Sequence, residues 1–336
     1  MFIAKDISQF KTLFVNKLKN MLSDDELGAF ILVLANSLQD EFLKTELATD
    51  LKDNFLVLKG KFDTGELKAT QDDLDVFKQL LTIDIEQLPI WQTRKVGASD
   101  SSWEVVYNVM RQLRPARASS QILNSIIQDF DDTRFHFNKP FLKPEILWQG
   151  EYGDKNVRVF YNKFPFSDYH LLIVVSPEDN SAQILTQDMH RYISTLAEKV
   201  DETLPGFGVG FNSLAAGASV NHLHFQGFIR EQKFPLENID DISNYPLSVK
   251  QFADIESSWQ YIQTLIEKDM AFNCLYRKNS CYVVPRKYQG TVDLPVWLDG
   301  AGWIDVAGVM TVSDEVTFNA IDEQSVTQAL GLLSTH

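Results

Sequence analysis

Asn221-His222-Leu223-His224-Phe225-Gln226 is the most informative stretch of this chain, because it holds two of the six histidines with one residue between them. Alternate side chains of a strand share a face, so His222, His224 and Gln226 should point one way and Leu223 and Phe225 into packing. A neutral imidazole is a good nucleophile toward phosphorus when a hydrogen bond holds its second nitrogen. Glutamine can bind a phosphoryl oxygen but cannot transfer a proton. The pattern predicts a strand with a chemical face, and the alternative is a strand with two ordinary polar histidines.

A run of small residues leads directly into this strand. Residues 206–210 read Gly-Phe-Gly-Val-Gly, and residues 211–220 read Phe-Asn-Ser-Leu-Ala-Ala-Gly-Ala-Ser-Val. Small residues let the backbone approach a ligand closely, and such a turn can offer several N–H groups to an anion. We expect this loop to bind phosphate. A tight connection between strands is the alternative, although it does not require the polar pair Asn212 and Ser213.

Several stretches resemble, in the same order, the GDP-L-galactose and GDP-D-glucose phosphorylases of the histidine-triad (HIT) and galactose-1-phosphate uridylyltransferase superfamily. They are residues 134–139, 165–173, 211–226, 284–288 and 302–308. The resemblance covers about residues 111–315. The chain departs from the family at Arg286, where relatives carry glutamine after proline, and at Asp305, where they carry glutamate.

The resemblance implies a phosphorylase that converts GDP-hexose and phosphate to GDP and hexose 1-phosphate in two steps. His224 would attack the α-phosphorus and form a nucleotidyl-histidine, which inorganic phosphate would then cleave. His222 would orient His224 through its backbone carbonyl or its ring, and Gln226 would bind a non-bridging oxygen. The expected substrate-binding residues are Asn212, Ser213, Gly217, Ser219, Asn221, Lys163, Arg286 and Lys287.

Two other functions fit the same residues. A dinucleoside polyphosphate phosphorylase or adenylyltransferase would use the same His-x-His-x-Gln chemistry on a different leaving group. A non-catalytic nucleotide-binding module would retain the fold alone. In superfamily hydrolases the position of Gln226 holds histidine, so Gln226 favours transfer to phosphate or to a phosphorylated acceptor over transfer to water.

The composition excludes several partners and cofactors. A formal charge of −15 over 336 residues argues against nucleic acid and anionic membranes, but not against a small anionic substrate. Cys274 and Cys281 form no Cys-x-x-Cys pair, so we expect neither a metal nor another cofactor. Two cysteines and a start without a secretory signal predict a cytoplasmic protein.

The spacing of apolar residues divides the chain into two parts. The apolar spacing of residues 1–110 predicts a helical N-terminal region. A capping box at 23–26 is expected to open a helix that ends at residue 38. The other predicted helices cover residues 10–22, 39–51, 72–81 and 103–113. Its apolar stripes are core, or one face docks a partner or a second subunit in a homodimer.

Residues 111–336 predict a HIT-like domain after linkers at 98–102 and 115–120. Strands are expected over 157–161, 170–175, 209–212, 220–229, 281–284 and 303–311, and helices over 187–200 and 257–268, with His190 exposed. Sequential hairpins with covering helices predict an α+β fold with an antiparallel sheet.

Overall fold

Four helices open the chain: α1 (Ile7–Met21), α2 (Leu27–Ser37), α3 (Glu41–Asp63) and α4 (Gln71–Leu80). Three of them begin at a side-chain cap, provided by Asp6, Asp40 and Thr70. The predicted capping box at 23–26 is wrong, because α2 follows Glu26 without a side-chain cap. Asp25 instead adopts a left-handed backbone, and its carboxylate accepts hydrogen bonds from two residues of α3.

Two sheets follow in the computed structural model, which describes residues 1–97, 102–113, 123–238 and 244–335. Their strands are β1 (Gln92–Val96), β2 (Trp103–Tyr107), β3 (Ile146–Tyr152), β4 (Lys155–Tyr161), β5 (Leu171–Val175), β6 (Phe207–Asn212), β7 (Phe225–Ile229), β8 (Lys250–Phe252), β9 (Phe272–Arg277), β10 (Ser280–Pro285) and β11 (Val309–Val312). The larger sheet has the order β3-β4-β5-β7-β6-β9-β10-β8 and is antiparallel throughout, and the smaller has the order β1-β2-β11.

The remaining helices are α5 (Gln187–Asp201), α6 (Ile255–Glu267), α7 (Trp303–Val306), α8 (Glu315–Ala320) and α9 (Glu323–Leu332). The predicted α+β class, with a helical N-terminal region before an antiparallel sheet, is therefore confirmed. The predicted linker at 115–120, residues 98–101 of the other linker and His336 lie outside the described residues.

Four further local predictions are wrong. The strand expected over 220–229 begins only at Phe225, because the backbone N–H and carbonyl of His224 bond to the Gln183 side chain and not to a neighbouring strand. Residues 103–107 form β2 and not a helix, because this strand pairs with β1 on one side and β11 on the other. Residues 303–306 form a helix and not a strand, because the Asp305 carboxylate accepts a hydrogen bond from the Gly302 N–H and closes a helical turn. His190 is fully buried, with its ring nitrogens bonded to Tyr276 and Ser258. The division of the chain at residue 110 stays a prediction.

The two faces of the larger sheet have different roles. Ile173, Val209 and Phe225 are buried in the core that the sheet shares with the N-terminal helices, α5 and α6. The opposite face carries Phe160 and Val174 in one apolar cluster and Phe228 in another. Since side chains alternate along a strand, the face that carries Phe228 also carries Gln226.

The N-terminal helices are tied to the β4–β5 connection by hydrogen bonds. The Tyr161 hydroxyl donates to the Phe14 carbonyl of α1 at 2.7 Å. The Asn36 amide of α2 donates to the Asn162 carbonyl at 2.9 Å, and the Tyr169 N–H donates to Gln39 at 2.7 Å. These contacts hold α1 beside the β3–β4 edge of the sheet. None of the helices in the described ranges is both long and apolar enough to cross a membrane.

Candidate active site

His224 lies immediately before β7, and its ring is held in one tautomer. Its Nδ1 lies 2.8 Å from the His222 carbonyl oxygen. A carbonyl can only accept, so Nδ1 carries the proton and Nε2 carries the free lone pair. Within the described part of the chain, Nε2 has no hydrogen-bond partner. The sequence predicts that His222 orients His224 through its backbone carbonyl or its ring, and the contact observed is the one with the carbonyl.

A buried glutamine holds the backbone of His224. The Gln183 side chain accepts from the His224 N–H at 2.9 Å and donates to the His224 carbonyl at 3.1 Å. It also donates to the Asn212 carbonyl at the end of β6, at 2.8 Å. The Gln183 side chain thus makes the two hydrogen bonds to His224 that a neighbouring strand would otherwise make. It fixes the backbone of His224, which lies just before the first residue of β7. The sequence carries no signal for this role, because Gln183 lies in the connection between β5 and α5.

His222 is a support for the site. Its Nδ1 accepts a hydrogen bond from the Phe137 N–H at 3.1 Å. The rings of Phe130 and Phe137 pack against it, with centroids 5.3 and 5.8 Å away, and the His136 ring lies 6.0 Å away. Because both ring and carbonyl are engaged, His222 links the segment around Phe137 to the nucleophile.

Burial keeps both histidines neutral. It lowers the pKa of His224 to about 4, against a smaller opposing effect of the hydrogen bond to the His222 carbonyl. It also lowers the pKa of His222 to about 4, and repulsion from His224, His136 and Arg158 acts in the same direction. An imidazole with such a pKa is almost entirely unprotonated at pH 7, as a nucleophile requires.

Gln226 is buried and is bonded through its oxygen. The Trp303 indole Nε1 lies 2.7 Å from Gln226 Oε1. Its amide nitrogen has no hydrogen-bond partner among the residues described. The third polar residue of the motif therefore presents an amide N–H donor that no described residue uses.

The predicted phosphate loop is held mainly by contacts within the protein. The Asn212 side chain accepts from Trp303 N–H, and the Ser213 hydroxyl accepts from Phe272 N–H at 3.0 Å. Asn221 accepts from Gln183 N–H and donates to the carbonyls of residues 128 and 129. Gly217 has φ +97°, and a side chain there would meet the backbone of residues 301 and 302. Ser219 is exposed. Binding of substrate by these five residues stays a prediction.

The three predicted cations have other partners. Lys163 pairs with Asp73 of α4 at 2.5 Å. Arg286 is buried and donates to the Ala301 carbonyl at 2.7 Å, and burial lowers its pKa to about 10. Lys287 donates to the Leu332 carbonyl near the C-terminus. Within the described residues no hydrogen bond joins any of these three side chains to His222 or His224. Their contact with substrate stays a prediction.

Two adjoining clefts lie along β3 and β4. The larger, of ≈ 910 Å³, runs between α1 and the β3–β4 edge, and the smaller, of ≈ 360 Å³, shares Gln149, Arg158 and Glu178 with it. Phe137 lines the larger cleft, and its ring centroid lies 5.0 Å from that of His224. Phe137 thus joins the cleft to the nucleophile.

The larger cleft is lined by both apolar and cationic side chains. Its lining includes Phe137, Leu142, Ile146, Trp148 and Phe160, and four cations, Lys17, Lys139, Lys143 and Arg158, against one carboxylate, Glu178. In a chain of formal charge −15 this local excess of cations attracts an anion. These residues converge from separate elements of the chain, so no short window of sequence shows the cleft. Within the described ranges, no three His, Cys, Asp or Glu side chains converge as metal ligands.

The fold and the histidine face define a HIT-like α+β protein, and solved structures agree. The structure is similar to yeast Ap4A phosphorylase Apa2, with a TM-score of 0.52 over 80% of this chain and 96% of that chain, at 16% identity. The same protein in complex with AMP gives a TM-score of 0.51 over 73% of this chain and 88% of that chain, at 18% identity. At this identity the likeness is one of fold.

Sequence comparison gives a more specific relationship. Residues 90–228 match the family described as GDPGP1-like, N-terminal domain. GDP-D-glucose phosphorylase 1 of Danio rerio is 36% identical over 39% of this chain, and that of Homo sapiens 33% identical over 36%. GDP-L-galactose phosphorylase 1 of Arabidopsis thaliana is 30% identical over 34%. The matched regions span 37%, 33% and 29% of these relatives. The resemblance to GDP-hexose phosphorylases is confirmed.

Proposed function

We propose that this protein is a nucleotidyltransferase of the phosphorylase type, which cleaves a nucleoside diphosphate hexose with inorganic phosphate. The observation that carries the proposal is the state of His224: neutral, with Nδ1–H donated to the His222 carbonyl and a free lone pair on Nε2. A histidine held in this way has a fixed nucleophilic nitrogen.

The geometry supports a two-step reaction. His224 Nε2 forms a bond to the α-phosphorus, the bond from that phosphorus to the bridging oxygen breaks, and hexose 1-phosphate leaves with the electron pair. The ring becomes a cation while it carries the nucleotidyl group, and its Nδ1–H bond to the His222 carbonyl at 2.8 Å stabilises that charge. A phosphate oxygen then attacks the same phosphorus, the P–N bond breaks, and nucleoside diphosphate leaves.

The larger cleft supports binding of the nucleotide. Its volume of ≈ 910 Å³ lies within the range of small-molecule sites, and its apolar wall suits a base or a sugar face. Its cations suit the diphosphate. Phe137 lines this cleft and its ring centroid lies 5.0 Å from that of His224, and this proximity supports a nucleotide that binds in the cleft and presents its α-phosphate to the nucleophile.

The N-terminal helical region contributes to the same cleft. Leu13 and Lys17 of α1 line it opposite β3 and β4. Since the Tyr161–Phe14 hydrogen bond holds α1 in this position, we propose that the region completes the substrate site.

A GDP-hexose is the substrate that the comparisons favour, because the named relatives at 30–36% identity are GDP-hexose phosphorylases. The likeness to Ap4A phosphorylase gives no comparable support for a dinucleotide, since it is one of fold at 16% identity. A cytoplasmic location, supported by the low cysteine content, and a homodimer formed through an apolar helix face are further proposals.

A labelling experiment tests the function. The protein is mixed with GDP-D-glucose, GDP-L-galactose or Ap4A labelled in the α-phosphate, with and without inorganic phosphate. We expect acid-labile, base-stable label on the protein without phosphate, and labelled GDP with it. His224→Asn is the matched control and should take up no label. Release of free nucleoside monophosphate as the main product in the presence of phosphate would identify a hydrolase instead.

A further inference from the structure

The Gln226 amide has two orientations, and only one of them can assist phosphoryl transfer. With its NH₂ group toward the substrate it donates to a phosphoryl oxygen, whereas with its oxygen in that place it repels the phosphate. Rotation by 180° about the last side-chain bond exchanges the two groups at almost no change in shape. Some other residue must therefore determine which end faces the reaction.

Trp303 has the chemistry to make this selection. An indole N–H can only donate, so the Gln226 atom 2.7 Å from Trp303 Nε1 has to be the amide oxygen. The NH₂ group consequently points the other way. Both side chains are buried, at 1% and 7% exposure, so water does not replace this bond at low cost.

Trp303 is itself held by three neighbouring strands. Its backbone N–H donates to Asn212 Oδ1 at 2.7 Å, and its ring stacks on Phe228 with centroids 4.9 Å apart and planes 13° apart. Gly210 lies under the ring, where any Cβ would come within 2.3 Å of Trp303 Cδ2. Asn212 is in turn fixed by the Asn273 amide at 2.7 Å. The indole thus transmits a fixed position from β6, β7 and β9 to Gln226.

We infer that Trp303 is a positioning residue: its indole N–H holds the Gln226 amide so that its NH₂ group faces the phosphoryl group transferred to and from His224. Asn212, predicted to bind substrate, contributes through Trp303. The inference rests on the proposed function, because the orientation has a consequence only when a phosphoryl group is present.

Three variants form the test. Trp303→Phe removes the indole N–H and keeps an aromatic ring, and Gln226→Ala removes the amide. The double variant reports whether the two act as one unit. Trp91→Phe is the matched control, since the buried Trp91 indole nitrogen has no hydrogen-bond partner among the described residues. Phosphorolysis of GDP-D-glucose and GDP-L-galactose is measured for each, together with the thermal unfolding midpoint.

We expect Trp303→Phe to lower kcat by roughly 10- to 100-fold, which is less than the roughly 100- to 1000-fold loss when a transition-state donor is removed, because the amide donor stays in place but loses its fixed orientation. KM for the nucleotide sugar should change by less than about threefold. In the Gln226→Ala background the same substitution should change kcat by less than about twofold. Trp91→Phe should keep the wild-type kcat. An equal loss of kcat from Trp303→Phe in both backgrounds would identify a structural role and overturn the inference.

A further variant tests the orientation even where Trp303→Phe does not fold. Gln226→Glu keeps an acceptor for the Trp303 N–H and removes the donor, so it should lose kcat as fully as Gln226→Ala. A Gln226→Glu protein with wild-type kcat contradicts the inferred orientation alone. A wild-type protein that neither becomes labelled nor turns over any of these substrates contradicts the proposed function, and the inference fails with it.

Discussion

The rate of the first chemical step should remain almost constant between pH 7 and pH 5. This step requires neutral His224, and burial lowers the pKa of that ring to about 4. A histidine with an ordinary pKa of about 6.5 would instead be largely protonated at pH 5. Acidification therefore distinguishes the buried, tautomer-fixed nucleophile of the structure from a solvent-exposed one.

The expected difference is large. With a pKa of about 4, about nine tenths of His224 is still neutral at pH 5, so kcat/KM falls by only about 1.1-fold from its value at pH 7. With a pKa of about 6.5 the neutral fraction would fall by about 25-fold over the same interval. The acidic limb of the profile should thus have its midpoint near the lowered pKa.

Stability changes in the same pH range and has to be followed separately. Because the pKa of folded His224 lies below that of the unfolded chain, the unfolded chain binds more protons between about pH 6.5 and pH 4. His224 therefore contributes stability above about pH 6.5, and roughly 2 kcal/mol of it is lost by pH 5. Glu145, whose pKa burial raises to about 7, acts in the opposite direction: its contribution grows as the pH falls.

The assay is single-turnover formation of the nucleotidyl-enzyme at subsaturating labelled substrate, which reports the free enzyme, at half-unit steps from pH 4.5 to pH 8. Tryptophan fluorescence establishes that the protein is folded at each pH, and a return to pH 7 establishes reversibility. An acidic limb centred near pH 6.5, on a protein that stays folded, would refute the assignment of a buried neutral nucleophile.

Four further predictions concern single residues. His224→Asn should abolish labelling and turnover with little change in the midpoint of thermal unfolding, and turnover at the wild-type rate would exclude a covalent intermediate. Gln226→His should raise the ratio of hydrolysis to phosphorolysis, measured from labelled GMP and GDP, because it restores an ionisable group; an unchanged ratio contradicts the role given to Gln226. Lys17→Ala should raise KM for the nucleotide sugar by about three- to tenfold, because an exposed cation that lines the cleft contributes modestly to binding of an anion. The control is Lys68→Ala, since Lys68 is exposed and does not line the cleft, and its KM should not change. Equal KM values for the two variants would exclude α1 from the site. Gly210→Ala should lower kcat, and it should lower the free energy of unfolding in urea by about 1–3 kcal/mol, because the added methyl group meets the Trp303 ring. The control is Gly60→Ala, which should be neutral or stabilising because Gly60 lies in a helix with open space around it. A Gly210→Ala protein as stable as the wild type would contradict the close packing against Trp303.

The sequence alone determined the features that depend on neighbours along the chain. The alternation of residues 222–226 predicted that Leu223 and Phe225 would enter the core, and this is confirmed. Helical spacing predicted the helices of the first eighty residues. These elements follow from the period of the side chains, which any short window of sequence contains.

The contacts that hold the site and the positions of its charges follow from the packing of distant segments, which the sequence does not show. Gln183 reaches the backbone of His224 across 41 residues of chain, Trp303 reaches Gln226 across 77, and Phe137 reaches His222 across 85. Each of these contacts depends on the order of the strands, which places β7 between β5 and β6. Burial, which makes His224 a neutral nucleophile, is likewise a property of everything packed around the ring. Lys163, Arg286 and Lys287 illustrate the same limit, because their residue types suit phosphate while their positions in the fold give them protein partners instead.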